Sequence, residues 1–118
     1  MAAAKFLGAA DLEAAADVST AEVDCPEWGG RVRVRGLTAA EHLRLAAWAQ
    51  DLSRRDDCMF WTAACGLLGP DGAPMWPDPA EGVEVLRRRA LPPVERVAAA
   101  VMALSRVDDE AVEAARKN

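Results

Sequence analysis

The stretch "TAEVDCPEWGGRVRVRG", Thr20 to Gly36, constrains the fold of this chain more than any other. Apolar and polar residues alternate over Ala21 to Cys25 and again over Arg31 to Arg35, the period of two that a strand with one buried face requires. Between the runs, Pro26 ends the first strand where it costs no ladder bond, and Gly29 and Gly30 can adopt the positive backbone angles of a tight turn. The pair therefore reads as a β-hairpin over residues 20–36. A loop at Glu27 to Gly30 places Pro26 opposite Arg31, Cys25 opposite Val32, Asp24 opposite Arg33, Val23 opposite Val34 and Glu22 opposite Arg35. In that register the apolar face meets itself and two arginines meet carboxylates, each pair contributing at most about 1 kcal/mol. The arginine row is thus answered within the hairpin. No interleaved aromatics and no neighbouring basic cluster support a phosphate-binding reading.

Past Gly36 the period becomes helical. "TAAE" is a capping box, with Thr38 accepting from a backbone N–H three residues on and Glu41 reaching back. Leu45, Trp48, Ala49 and Leu52 follow as one apolar stripe, which predicts a helix over about 38–52. "SRRD" at Ser53 resembles a second cap. Residues 56–68 are apolar nearly all round, with Cys58, Trp61, Cys65 and Leu68 on one face and Phe60, Ala64 and Leu67 beside it, as in a central helix. "GPDGAPMWPDP" carries a hairpin signal at Asp71-Gly72, followed by Trp76 on a short extended segment able to close over the core. "DPAE" combines an N-cap at Asp78, Pro79 at the first helical position and Glu81, predicting a helix over about 79–90. Pro92 and Pro93 end it and begin another, whose stripe is Val94, Val97, Ala98, Val101 and Met102. Asp108 reads as the cap of a last helix, with Val107 and Val112 as a hydrophobic staple. Near the start, "GAADLEAAAD" forms at most a short helix with little to bury. The expected fold is α+β, mostly α: an acidic lead (1–19), a β-hairpin (20–36) and a helical part (37–118) of about four to five helices, in a single domain 1–118.

Composition narrows the function. The 118 residues carry a formal charge of −5, and residues 1–30 alone hold one lysine and six acids. This balance argues against nucleic acid and against anionic membranes as partners. The three cysteines, Cys25, Cys58 and Cys65, form no CxxC, and with no signal-like opening they fit a reducing cytosol. No run of eighteen apolar residues predicts a membrane span.

Catalytic and metal chemistry find little footing. The single histidine, His42, stands in a first helical turn beside Glu41 and reads as a surface residue. Cys58 and Cys65 are about 10 Å apart along a helix, too far to bridge. A zinc site from Cys25, His42, Cys58 and Cys65 matches no short zinc pattern. The glycines assemble no phosphate loop, and Arg87, Arg88 and Arg89 splay around a helix. No catalytic residue, cofactor or metal is expected.

The order of these parts resembles the tail assembly chaperones of long-tailed bacteriophages. In that family a Pro-Glu-Trp-Gly-Gly segment runs into an alternating basic strand that ends Arg-Gly-Leu-Thr before a helix start containing Glu. Here the matching positions are Pro26, Glu27, Trp28, Gly29, Gly30, Val32, Val34, Arg35, Gly36, Leu37, Thr38 and Glu41. The Asp-x-Gly turn before an aromatic and the closing Lys-Asn are also similar, whereas Cys58, Met59, Phe60 and Trp61 depart from the milder pattern expected there.

The resemblance implies a non-catalytic protein of the host bacterial cytoplasm, absent from the mature virion, that binds the tape measure protein while the tail tube polymerises. The tail tube protein would be recruited by a longer, frameshifted form, this chain being the short form; self-association is left open. Trp28, Val32, Val34, Trp48, Trp76 and Met102 are the candidate partner-binding residues, each able to serve the core instead. Arg116, Lys117 and Asn118 are consistent with a slippery A-AAA-AAC heptamer, since they can be encoded by a codon ending in A followed by AAA and AAC, in a chain where Lys5 and Lys117 are the only lysines and Asn118 the only asparagine. A cationic helix end explains the same residues without slippage. The rival readings are a small helical peptide- or DNA-binding adaptor and a minor tail or head completion protein that stays in the particle.

Overall fold

A computed structural model describes residues 5–105. The Asp108-capped helix and the Arg116 to Asn118 end lie outside the described residues. Among the described residues, five α-helices and a three-stranded sheet follow one another as α1 (Ala9–Ala14), β1 (Thr20–Cys25), β2 (Gly30–Arg35), α2 (Ala39–Gln50), α3 (Cys58–Gly66), β3 (Leu67–Leu68), α4 (Pro79–Leu86) and α5 (Leu91–Ser105). The sheet is antiparallel with order β1-β2-β3. An α+β fold, mostly helical with an N-terminal hairpin, is what the alternation and the helical stripes required.

The register of the hairpin differs from the sequence expectation. Cys25 lies opposite Gly30, Asp24 opposite Arg31, Val23 opposite Val32, Glu22 opposite Arg33, Ala21 opposite Val34 and Thr20 opposite Arg35. The loop starts one residue earlier than expected because Pro26 opens a 3₁₀ turn over Pro26–Trp28, and Gly29, at φ 84°, closes it in the left-handed region. Gly30 is then already in the strand. Sliding a four-residue loop by one position moves the register by two, so the same residues still face the core. What changes is the charge pairing. Glu22 accepts from Arg31 at 3.1 Å and lies 4.0 Å from Arg33. Arg35, expected opposite Glu22, instead forks onto Glu41 at 2.8 and 2.9 Å.

That fork sits on the capping box at the start of α2. The Glu41 N–H donates to Thr38 Oγ1, and the Thr38 N–H donates to the Glu41 carboxylate, so one carboxylate serves both the cap and the guanidinium of β2. The helix ends at Gln50, with Asp51 accepting from both the N–H and the hydroxyl of Ser53. Ser53 is therefore bound to the preceding turn and does not cap α3. Leu52, expected on the stripe, falls beyond the helix and is 77% exposed.

The predicted central helix stops at Gly66. Leu67 and Leu68 leave it as β3, paired with Val34 and Arg33 of β2, a strand the sequence reading placed inside the helix. The chain then turns at Asp71-Gly72, Gly72 having φ 86°, and comes back so that the Met75 N–H donates to the Leu67 carbonyl. Trp76 lays its ring on Gly82 of α4, where a Cβ would stand 2.3 Å from Trp76 Cε3. Pro79 opens α4 at the Asp78 cap as expected, but the helix ends at Leu86, four residues short of the predicted 90, and gives way to a turn. Four of the five α5 stripe residues, Val94, Val97, Ala98 and Val101, are buried.

The core forms where β2, α3, β3 and α5 converge: Val34, Leu67, Val94, Val97 and Val101 are all essentially inaccessible. Gly66 makes that convergence possible, because a Cβ there would lie 2.2 Å from Val101 Cγ2 and 3.0 Å from the Arg35 carbonyl oxygen. Gly66→Ala is accordingly expected to destabilise by about 1–3 kcal/mol or more, whereas Gly30→Ala, with open space around it, should stay within about 0.5 kcal/mol. Urea unfolding midpoints compare the two, and equal midpoints would contradict the packing described.

Candidate functional site

Two apolar grooves open on the described surface. In the first, α3 holds α2 and α5 apart, and small side chains on the facing helices leave the gap unfilled. Ala46 and Ala49 stand on the α2 wall and Ala98 and Ala99 on the α5 wall, while Leu45, Met59 and Thr62 line the interior of a space of about 410 Å³. His42 and Met102 stand at its mouth, Met102 being 36% exposed. Of α2, only Leu45 is buried, so the helix offers most of one side to solvent or to a partner. The two thioethers add adaptability, since an unbranched side chain can re-pack against different shapes.

The second groove, about 450 Å³, lies between the hairpin and α4 and is lined by Trp28, Val32, Met75, Trp76 and Leu86 among others. Glu27 and Arg89 stand on its rim. Glu27 fixes the hairpin tip to α5: its carboxylate accepts from both terminal nitrogens of Arg96 at 2.9 Å, and Arg96 also donates to the Asp24 carbonyl at 3.1 Å. The indole Nε1 of Trp28 is buried and has no acceptor among the described residues.

The structure therefore separates the six candidate residues. Trp28, Val32 and Trp76 meet in the hairpin–α4 groove, and Met102 stands in the α2–α5 groove. Val34 is wholly buried and offers no surface. Trp48 belongs to neither groove: its ring lies 4.8 Å from that of Trp61 at a tilt of 58°, with Arg54 5.2 Å above it and Arg44 5.7 Å from the Trp61 ring. The alanine walls of the α2–α5 groove were missed in the sequence. Their signal was there in the run of Ala46, Ala47 and Ala49, which cannot fill a space between helices.

The three thiols are not activated toward the thiolate form. Burial pushes Cys65 up to about 12 and raises Cys25 and Cys58 above the usual thiol value, so all three stay protonated near neutral pH. Among the described residues no three His, Cys, Asp or Glu side chains are placed to hold a metal ion, and no helix is long and apolar enough to cross a membrane. The arrangement suits the binding of apolar surface. Compared with known protein families, curated proteins and solved structures, the chain matches none.

Both groove walls depend on carboxylates held ionised. Burial works against the charge of Glu41, but the Arg35 fork and the Thr38 N–H outweigh it and hold the group at about 2; the Arg96 fork does the same for Glu27. Each folded value lies below the ordinary 4.5, so the unfolded chain binds more protons in this range. The stabilisation is complete above 4.5 and is lost as pH falls toward about 2. Urea midpoints measured from about pH 5.5 to about pH 2.5 should therefore fall steeply, and less steeply in Glu41→Gln or Glu27→Gln. Parallel profiles for all three proteins would contradict the pairing.

Proposed function

We propose that this chain is a tail assembly chaperone of a long-tailed bacteriophage, in its short form, binding apolar helices of the tape measure protein without catalysis. The observation that carries the reading is the α2–α5 groove: an open, alanine-walled, methionine-edged channel between two helices, the kind of surface that takes the apolar face of a third helix. The resemblance of the Pro26 to Glu41 segment to that family supports it independently. The protein would act in the host cytoplasm, keep tape measure helices from associating with one another while the tube subunits assemble, and leave before the virion is complete. A longer frameshifted product would bring in the tail tube protein.

Co-expression with the tape measure protein of the same phage tests this. The tape measure should become soluble and co-purify with the chain, and Met102→Glu, which places a charge at the mouth of the groove, should reduce the captured amount by about tenfold or more while leaving the helical circular dichroism unchanged. A tape measure equally insoluble with and without this chain would refute the proposal. Undiminished capture by Met102→Glu would move the contact away from the α2–α5 groove.

A further inference from the structure

The N-terminal arm is built of apolar side chains that its own chain leaves uncovered. Phe6 is 103% exposed, Leu7 61% and Leu12 65%, and α1 buries no residue at all. The arm is nonetheless folded locally: Asp11 accepts from the Gly8 N–H at 2.9 Å and from the Lys5 ammonium at 3.0 Å. A six-residue helix is far below the length that sustains itself in water, so it needs a covering surface to persist.

The hairpin–α4 groove supplies a surface of matching chemistry. Its floor is apolar, and of the two charged residues on its rim Glu27 is engaged by Arg96, whereas Arg89 has no carboxylate partner among the described residues. The arm carries Asp11, Glu13 and Asp17 against a single Lys5, which Asp11 already engages. An acidic, apolar segment thus faces an apolar groove with a basic rim. The α2–α5 groove has no Lys or Arg in its lining and lacks this complement.

Topology favours a second copy as the source of the arm. The arm leaves from the Ser19 end of β1, where Ser19 accepts from the Gly36 N–H, whereas the groove lies toward the hairpin tip at Glu27 and Trp28. The six residues of β1 put about 20 Å between them, and the arm lies off the groove of its own copy, with Phe6, Leu7 and Leu12 exposed. We propose that the arm, residues 5–18, of one copy docks in the hairpin–α4 groove of a second copy, with Phe6, Leu7 or Leu12 entering between Trp28, Met75 and Trp76. Reciprocal exchange closes a dimer without using the α2–α5 groove, so this self-association stands apart from tape measure binding.

Photo-cross-linking of the full chain tests the proposal. Phe6→p-benzoylphenylalanine is prepared with and without ¹⁵N labelling, the two are mixed and irradiated, and cross-linked peptides are mapped by mass. Adducts joining a light chain to a heavy one at residues 27–32 or 67–89 are expected, Met75 foremost. Adducts within one copy only, adducts elsewhere including the α2–α5 groove, or none at all would overturn it. Because the arm buries nothing in its own chain, the double variant Leu7→Asp with Leu12→Asp should keep its helicity yet associate at least about tenfold more weakly by light scattering, and Arg89→Glu should weaken association in the same direction. An unchanged dimer Kd in either variant would also overturn the proposal.

Discussion

The close approach at Gly66 is the contact on which the other packing depends. One residue ends α3, starts the path into β3, and lies against both Val101 of α5 and the backbone of β2 at Arg35. Any side chain there would force α5 outward and separate Val34 and Leu67 from Val94, Val97 and Val101. Each of those fully buried side chains is worth about 1.5–3 kcal/mol relative to exposure, so a displacement of α5 weakens several of them together. The small residues just before it, Ala63, Ala64 and Cys65, are buried for the same reason: only short side chains allow a helix to lie this close to its neighbours.

Two forked ion pairs then fasten the hairpin to the helices around that core. Arg35 to Glu41 joins β2 to the start of α2, and Arg96 to Glu27 joins α5 to the hairpin tip. The first uses a carboxylate already engaged in the α2 cap. Between these anchors, the Leu37 N–H donates to the Ser105 hydroxyl at 2.7 Å, which itself donates to the Val101 carbonyl. The helices are thus pinned at their ends while their middles stay apart, and the α2–α5 groove is the space that results. The hairpin–α4 groove has a comparable origin, since Trp76 is held down on Gly82 and the hairpin tip is drawn toward α5.

The hairpin, the α2 capping box, the Asp71-Gly72 turn and the Asp78-Pro79 helix start were legible in the sequence because each rests on local chemistry. The register was not. Both loop placements keep Val23, Val32 and Val34 on the core face, so alternation alone could not choose between them; the 3₁₀ turn beginning at Pro26 decided it. Leu67 and Leu68 continue the apolar pattern of α3 without interruption, and a two-residue strand has no period of its own. The Glu27–Arg96 pair spans 69 positions, and no local spacing announces it. The grooves were hidden for a further reason: they are made by what alanine does not fill, which becomes visible only once the helices are set side by side.

Hydrogen exchange followed by mass spectrometry, on the chain alone and in complex with the tape measure protein, tests the central claim most directly. Binding in the α2–α5 groove should slow exchange across α2 and the second half of α5, the two helices whose side chains wall it. The core strand β2 should change little. Protection confined to the hairpin, or exchange identical with and without the tape measure, would contradict the assignment of that groove as the helix-binding surface.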